Sequence, residues 1–71
     1  MSHVYKIVDY VGSSTISSDD AVRNAIATAS LSHQHIGWYE VVSHRGHVDD
    51  GNIAHFQLTV RVGLRMDDSE Q

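Results

Sequence analysis

The 71-residue chain contains no cysteine and no proline-rich tract. Without cysteine it has no disulfide scaffold, no thiolate metal site and no cysteine nucleophile. It also lacks an apolar run near the roughly 18 residues that a membrane span requires, and Met1 to His3 do not resemble a signal peptide. These absences lead us to expect a cytoplasmic protein that is not embedded in a membrane.

Positive charge is scarce. The chain has 5 Lys plus Arg against 9 Asp plus Glu, for a formal net charge of −4. Proteins that bind nucleic acid gain affinity when lysine and arginine release counterions from phosphates, so this balance argues against DNA or RNA as a partner.

The chain is short enough that only one domain is expected, spanning residues 1–71. A domain of this size buries only about 60% of the surface of its unfolded chain, and chains below about 70–80 residues usually need disulfides, a metal or oligomerisation. With disulfides excluded, subunit assembly becomes the favoured source of additional buried surface.

Periodicity predicts the order strand, helix, strand, strand. A serine followed by two aspartates supplies an N-cap and first-turn carboxylates for the helix, Gly37 is a candidate stop signal, and Asp50-Gly51 indicates a hairpin turn. The residues after 66 form an acidic tail that we expect to be flexible. The predicted elements are a strand at Val4–Val11, a helix at Asp20–His33, and strands at Trp38–Val48 and Ile53–Met66.

The last strand has the clearest pattern, because apolar and polar residues alternate over more than ten positions. A turn centred on Asp50-Gly51 pairs residues whose numbers sum to 101, which places Tyr39, Val41, Ser43 and Arg45 on the apolar face. The helix should cover that face. Trp38 then lies on the uncovered face with Gln57, together with Glu40, Val42 and His44.

In this register Gln57 lies opposite His44, six residues from Trp38. At about 3.3 Å per residue the two side chains are roughly 20 Å apart. A ligand that contacts both Trp38 and Gln57 would therefore have to lie across a subunit boundary.

The residues also resemble the dodecin family from Val4 to Met66. The resemblance implies an α+β fold of order β-α-β-β, with a three-stranded antiparallel sheet partly wrapped around one helix, and twelve copies assembled as a hollow sphere. The matching motifs are Tyr5-Lys6, Val11-Gly12-Ser13-Ser14, Asp20-Ala21-Val22, Gly37-Trp38-Tyr39-Glu40-Val41, Arg45-Gly46-His47, Phe56-Gln57-Leu58-Thr59-Val60 and Val62-Gly63-Leu64-Arg65.

By the same resemblance, the ligand is a flavin. Pairs of flavins stack between symmetry-related tryptophans, here Trp38, while a glutamine, here Gln57, hydrogen-bonds the polar edge of the ring. The expected ligand is FMN, with riboflavin and FAD as alternatives. Arg45 and His47 are expected near the flavin, and Lys6 and Arg65 are weaker candidates for contacts with phosphate or coenzyme A. Because the predicted register puts Arg45 on the helix side, either the strand is bulged there or the side chain reaches around an edge of the sheet.

Other functions remain open on the sequence. One is an oligomeric scaffold that binds coenzyme A or another nucleotide anion, with flavin incidental. Another is a flavin-dependent oxidoreductase, disfavoured because no nicotinamide-binding glycine motif is visible. Metal binding is disfavoured as well, because the pairs His33/His35 and His44/His47 lack the spacing of a closed ligand set. We therefore expect a flavin storage and photoprotection protein without enzymatic activity.

Overall fold

The computed structural model describes residues 3–66. The order β-α-β-β and the α+β class are confirmed. All pairing is antiparallel, and β3 occupies the centre of the sheet in the order β1-β3-β2. The predicted acidic tail lies outside the described residues. The elements are β1 (Tyr5–Ser14), α1 (Ser18–Ser32), β2 (Ile36–Asp49) and β3 (Asn52–Arg65).

The start of α1 is capped as the sequence predicts. Ser17 has extended backbone angles, and its hydroxyl accepts a hydrogen bond of 3.0 Å from the backbone N–H of Asp20. Asp19 and Asp20 lie in the first turn, where their carboxylates interact favourably with the helix dipole. The strand β1 continues to Ser14, beyond the predicted end at Val11.

The turn between β2 and β3 is also confirmed. Asp50 and Gly51 both have positive φ, 54° and 77°, which matches the twist that a two-residue hairpin requires. The predicted helix stop at Gly37 is wrong. The helix ends at Ser32, the chain reverses through His35 at a φ of 61°, and Gly37 lies inside β2.

The core is small and lies between α1 and one face of the sheet. The helix approaches closely because it contributes alanines and because β1 presents Gly12, where an added Cβ would clash with the Ala21 carbonyl and lie 2.9 Å from the Ala25 Cβ. The predicted covering of the apolar face by the helix is confirmed. The buried hydrophobic residues are Ala21, Ala25, Ala29, Leu58, Val60, Val62 and Leu64.

The predicted register between β2 and β3 holds from Trp38 to Val41 and then shifts. Trp38 pairs with Gly63 and Val41 with Val60, so the sum of 101 holds there. It holds again next to the turn, where Asp49 pairs with Asn52, but shifts between Val41 and Ser43 and between His47 and Val48 change it in the stretch between them, so that Arg45 pairs with Gln57. The predicted pairing of Gln57 with His44 is therefore wrong.

The bulge also corrects the assignment of side chains to faces. Ser43 pairs with Thr59, so Ser43 and Arg45 share the face of Gln57 rather than the apolar face. His44 pairs with Leu58 and moves to the helix side. One additional residue reverses the facing of every side chain that follows it on the strand, and sequence alternation does not reveal such an insertion.

The chain is more extended than a compact domain of its length. Its Cα radius of gyration is 14.6 Å, whereas about 11 Å is expected for a compact chain of this size. Large apolar side chains such as Val11, Leu31 and Val48 are more than 60% exposed. No helix among residues 3–66 is long and apolar enough to cross a membrane.

Candidate functional site

The sheet surface opposite α1 carries the predicted site residues of β2 and β3, and we call it the open face. Each of its cross-strand pairs follows from the observed register. The open face comprises Tyr5, Ile7, Asp9, Val11 and Ser13 of β1, His55, Gln57, Thr59, Arg61, Gly63 and Arg65 of β3, and Trp38, Glu40, Ser43, Arg45 and His47 of β2.

Trp38 lies on the open face, where the sequence places it. Its indole lies across Gly63, so closely that a Cβ added at Gly63 would clash with the ring and lie 2.6 Å from Nε1. Tyr5 flanks the indole from β1, with ring centroids 5.9 Å apart and planes inclined by 53°. Trp38 nevertheless remains 38% exposed. An aromatic surface is therefore available to a planar ligand or to a second subunit.

Sequence reasoning did not assign roles to Tyr5 and Gly63 beside Trp38. A signal for Gly63 was present, since it interrupts the polar residues that alternate along this face of β3 and lies opposite Trp38 in the predicted register. No comparable signal existed for Tyr5, because β1 joins β3 through a pairing that the hairpin does not fix.

Arg45, Gln57 and His47 form a second group on the open face, toward the hairpin turn. The bulge in β2 places Arg45 directly opposite the half-buried Gln57, and Ser13 pairs with Gln57 from the other side. His47 is opposite His55, one alternate position nearer the turn. A guanidinium and an amide next to each other offer several donors and one carbonyl acceptor to a polar ligand edge.

An ion pair lies between the aromatic residues Trp38 and Tyr5 and the polar group of Arg45, Gln57 and His47. Arg61 donates from Nε to the Asp9 Oδ1 at 2.9 Å and from Nη2 to Oδ2 at 3.2 Å. These hydrogen bonds lower the pKa of Asp9 and raise the pKa of Arg61. Glu40, opposite Arg61 on β2, also raises the pKa of Arg61 by charge attraction.

The separation between Trp38 and Gln57 is as large as predicted. Trp38 pairs with Gly63, and Gln57 is six residues away along β3, a distance of roughly 20 Å for an extended strand. One protomer therefore cannot bring both side chains to the same flavin ring.

Lys6 and Arg65 lie in a different place from Arg45, Gln57 and His47. Both line a hollow of about 320 Å³ at the end of α1, where Ser32 to His35 form the opposite wall. Lys6 pairs with Leu64 and so belongs to the helix side of β1, although it is exposed. The structure thus brings the two weaker candidates together but leaves them apart from the Gln57 group.

A larger groove of about 500 Å³ runs between α1 and the start of β2. Apolar side chains dominate its walls, and it reaches Trp38 at one end. Because the groove is open along the edge of β2, it adds to the apolar surface that a single protomer leaves uncovered. Its lining includes Val22, Ile26, Ala27, Ile36 and Tyr39.

The two histidine pairs that the sequence offered as metal ligands are placed differently in the fold, because His33 and His35 both line the hollow at the end of α1, whereas His44 and His47 do not share a face of the sheet. His44 points to the helix side of the sheet and His47 to the open face. Within residues 3–66, no group of three or more His, Cys, Asp or Glu side chains is arranged to hold a metal ion.

Comparison with known proteins gives a consistent family assignment. A sequence model described as Dodecin matches residues 4–67. The curated Dodecin of Thermus thermophilus is 32% identical over 69 residues, which cover 97% of this chain and 100% of that protein.

Solved structures agree with the sequence match. The dodecin from Streptomyces davaonensis superposes with a TM-score of 0.85 at 45% identity, covering 94% of this chain and 98% of that chain. The dodecin from Streptomyces coelicolor gives a TM-score of 0.85 at 38% identity, covering 92% and 93%.

Proposed function

This chain belongs to the dodecin family, and we propose that it binds flavins without catalysing a reaction, in a homododecamer that stores them and shields them from light. FMN is the expected ligand, and riboflavin and FAD are alternatives. The observation that carries the proposal is the exposed indole of Trp38 lying across Gly63 on the open face.

Trp38 is suited to stack on an isoalloxazine ring. A glycine beneath the indole removes the side chain that would otherwise push the ring away from the sheet, so the opposite face of the indole is presented outward. An electron-poor flavin stacks favourably on an electron-rich indole, and close contact allows electron transfer that quenches the excited flavin. That quenching is the physical basis of the proposed photoprotection.

Gln57 and Arg45 would supply the polar half of the site. Their cross-strand pairing places an amide and a guanidinium together, and the amide can both donate to and accept from the imide edge of the flavin. Since Trp38 is roughly 20 Å from Gln57 within one protomer, the complete site would combine Trp38 of one subunit with Gln57 of another. His47, beside Arg45, would border the same ligand.

The assembly supplies the buried surface that the protomer lacks. The extended shape and the exposed apolar side chains of the sheet and of the groove beside α1 both favour burial between subunits. A flavin pair held between two indoles has neither ring face free for hydride transfer, which supports storage over oxidoreductase activity.

A second candidate function rests on the hollow at the end of α1. Lys6 and Arg65 line it together, and two cations at one hollow suit the phosphates of coenzyme A or another nucleotide anion. Riboflavin, which has no phosphate, separates the two candidates: comparable affinities for riboflavin and FMN support recognition through the ring, whereas loss of riboflavin binding supports the anion scaffold.

Titration of FMN with purified protein, followed by flavin fluorescence, tests the main proposal. We expect nearly complete quenching that saturates at about one flavin per chain. In Trp38→Ala, flavin affinity and quenching should be lost while light scattering shows an unchanged assembly, and Trp38→Phe should retain partial binding because an aromatic ring remains. Unchanged flavin affinity in Trp38→Ala would refute the stacking role.

A further inference from the structure

Two histidines of the open face contact each other in a way that the proposed flavin site does not require. His47 of β2 and His55 of β3 are directly opposite in the register, and their imidazoles are stacked, with centroids 4.8 Å apart and planes inclined by only 18°. They are eight residues apart on the two arms of the hairpin, and the register predicted from the sequence does not pair them.

The pair lies where the hairpin extends beyond the rest of the sheet. The last residue of β1, Ser14, pairs with Phe56, so β1 ends before it reaches His55. His47 is exposed and His55 is half-buried in the protomer. A small ion can therefore reach both imidazoles without displacing any neighbouring strand.

We propose that His47 and His55 together bind one divalent transition-metal ion, with Cu²⁺ bound more tightly than Ni²⁺ or Zn²⁺. Imidazole nitrogen is a preferred ligand for these ions, and nitrogen sites follow the order in which Cu²⁺ binds tightest. The two imidazoles leave the remaining coordination positions to water, which fits the absence of a third His, Cys, Asp or Glu ligand in the described part of the chain.

The two imidazoles are near enough to share an ion once their rings rotate. Two nitrogens that share one ion are about 3 Å apart, because each metal–nitrogen bond is ~2.0–2.1 Å long. The ring centroids are 4.8 Å apart and the rings are nearly parallel, whereas a shared ion must lie in the plane of each ring, so binding requires the rings to turn out of the stack. Rotation about χ2, which has a broad energy profile in histidine, allows this change.

The site shares His47 with the border of the proposed flavin site, so it is tested in flavin-free protein, where it requires only the two imidazoles of one hairpin. It also differs from the pair that sequence spacing suggests, since His44 faces the helix side of the sheet. His44 therefore provides a matched control on the same strand.

Calorimetric titration of Cu²⁺ and Zn²⁺ into flavin-free protein at pH 7.5 tests the proposal. All variants carry His3→Ala, which removes the histidine nearest to the competing amino-terminal amine. We expect about one Cu²⁺ per chain. His47→Asn or His55→Asn should weaken the affinity roughly tenfold or more, because each removes one of the two ligands and the loss of a residue that merely orients a ligand already costs about 10–100-fold. His44→Asn should change the Cu²⁺ affinity less than about twofold, far less than the roughly tenfold loss expected when a ligand is removed.

Electron paramagnetic resonance of the Cu²⁺ complex provides a second readout. The spectrum should show coupling to two equivalent nitrogens, and either substitution should reduce it to one. The proposal is overturned if His44→Asn weakens Cu²⁺ binding as much as His47→Asn does, or if His55→Asn leaves both the affinity and the spectrum unchanged. Circular dichroism of each variant shows whether a loss of binding reflects unfolding.

Discussion

The position of the Trp38 indole depends on the residue beneath it. Gly63 has no Cβ, and any side chain there would occupy the space of the ring. A side chain at position 63 would affect the Trp38 site rather than the core, because the indole lies on the open face, away from the buried residues of β3. Three predictions follow from single side chains on this face.

Gly63→Ala should displace the indole and weaken flavin binding by about 0.5–1.5 kcal/mol, the range expected for a lost aromatic stacking contact. FMN titration measures the loss, and the tryptophan emission maximum reports the displacement. Thr59→Ala, on the same face of β3, should leave both unchanged. An unaltered FMN affinity in Gly63→Ala would mean that the observed indole position is not the binding position.

Gln57→Ala should weaken FMN binding by about 1–3 kcal/mol if its amide pairs with the edge of the flavin ring. The measurement is again a fluorescence titration, accompanied by light scattering of the variant. Weakened assembly with unchanged flavin affinity would instead assign Gln57 to the subunit interface.

The Asp9–Arg61 ion pair predicts a dependence of stability on pH. Hydrogen bonding to Arg61 lowers the pKa of Asp9 in the folded protein, so the folded state favours the charged carboxylate. Its contribution is complete above the unfolded pKa of about 3.9 and is lost as the pH falls through the lower folded value. Asp9→Asn should therefore lower the melting temperature slightly at pH 6 and progressively less as the pH falls below about 3.9.

Melting curves at matched chain concentrations test this expectation, with Asp49→Asn near the hairpin turn as the control. A difference between wild type and Asp9→Asn that does not shrink as the pH falls below about 3.9 would contradict it. We expect a small effect because both side chains are substantially exposed.

The start of α1 and the two long strands are determined by different kinds of interaction. The helix begins at a local signal, the Ser17 cap with its following aspartates, whereas the face presented by the second half of β2 is decided by a bulge that depends on pairing with β3. Local signals could be read from the sequence, whereas the bulge was only one of two explanations that the sequence left open for Arg45.

Ser17→Ala should destabilise the protein by about 1 kcal/mol, because the backbone N–H of Asp20 loses the hydroxyl that accepts its hydrogen bond. Chemical denaturation at fixed chain concentration measures the change. Ser18→Ala, one residue further along, should have a much smaller effect. Equal destabilisation by both changes would show that the cap is not the stabilising feature.

The core formed by residues 3–66 is small. Its largest fully buried side chains are Val60 and Val62, while Trp38, Tyr39 and Val41 remain exposed. The protomer is extended, and contacts with other copies would bury the apolar surface that a single protomer leaves exposed.

We therefore predict that folding and assembly are coupled. Light scattering should give a mass of about 95 kDa, twelve times the 7.9 kDa chain, and the melting temperature should rise with chain concentration. A folded species of single-chain mass, with a melting temperature independent of concentration, would contradict this prediction.

The sequence by itself determined the order of the elements, the helix cap, the hairpin turn and the presence of Trp38 and Gln57 on the uncovered face, because each depends on local geometry or on strand alternation. The tertiary structure decided the rest. The bulge after Val41 brought Arg45 opposite Gln57 and turned His44 away, the pairing of β1 with β3 brought Tyr5 to Trp38, and the hairpin stacked His47 on His55. These contacts join residues on different strands, and their register is fixed only when the strands pair.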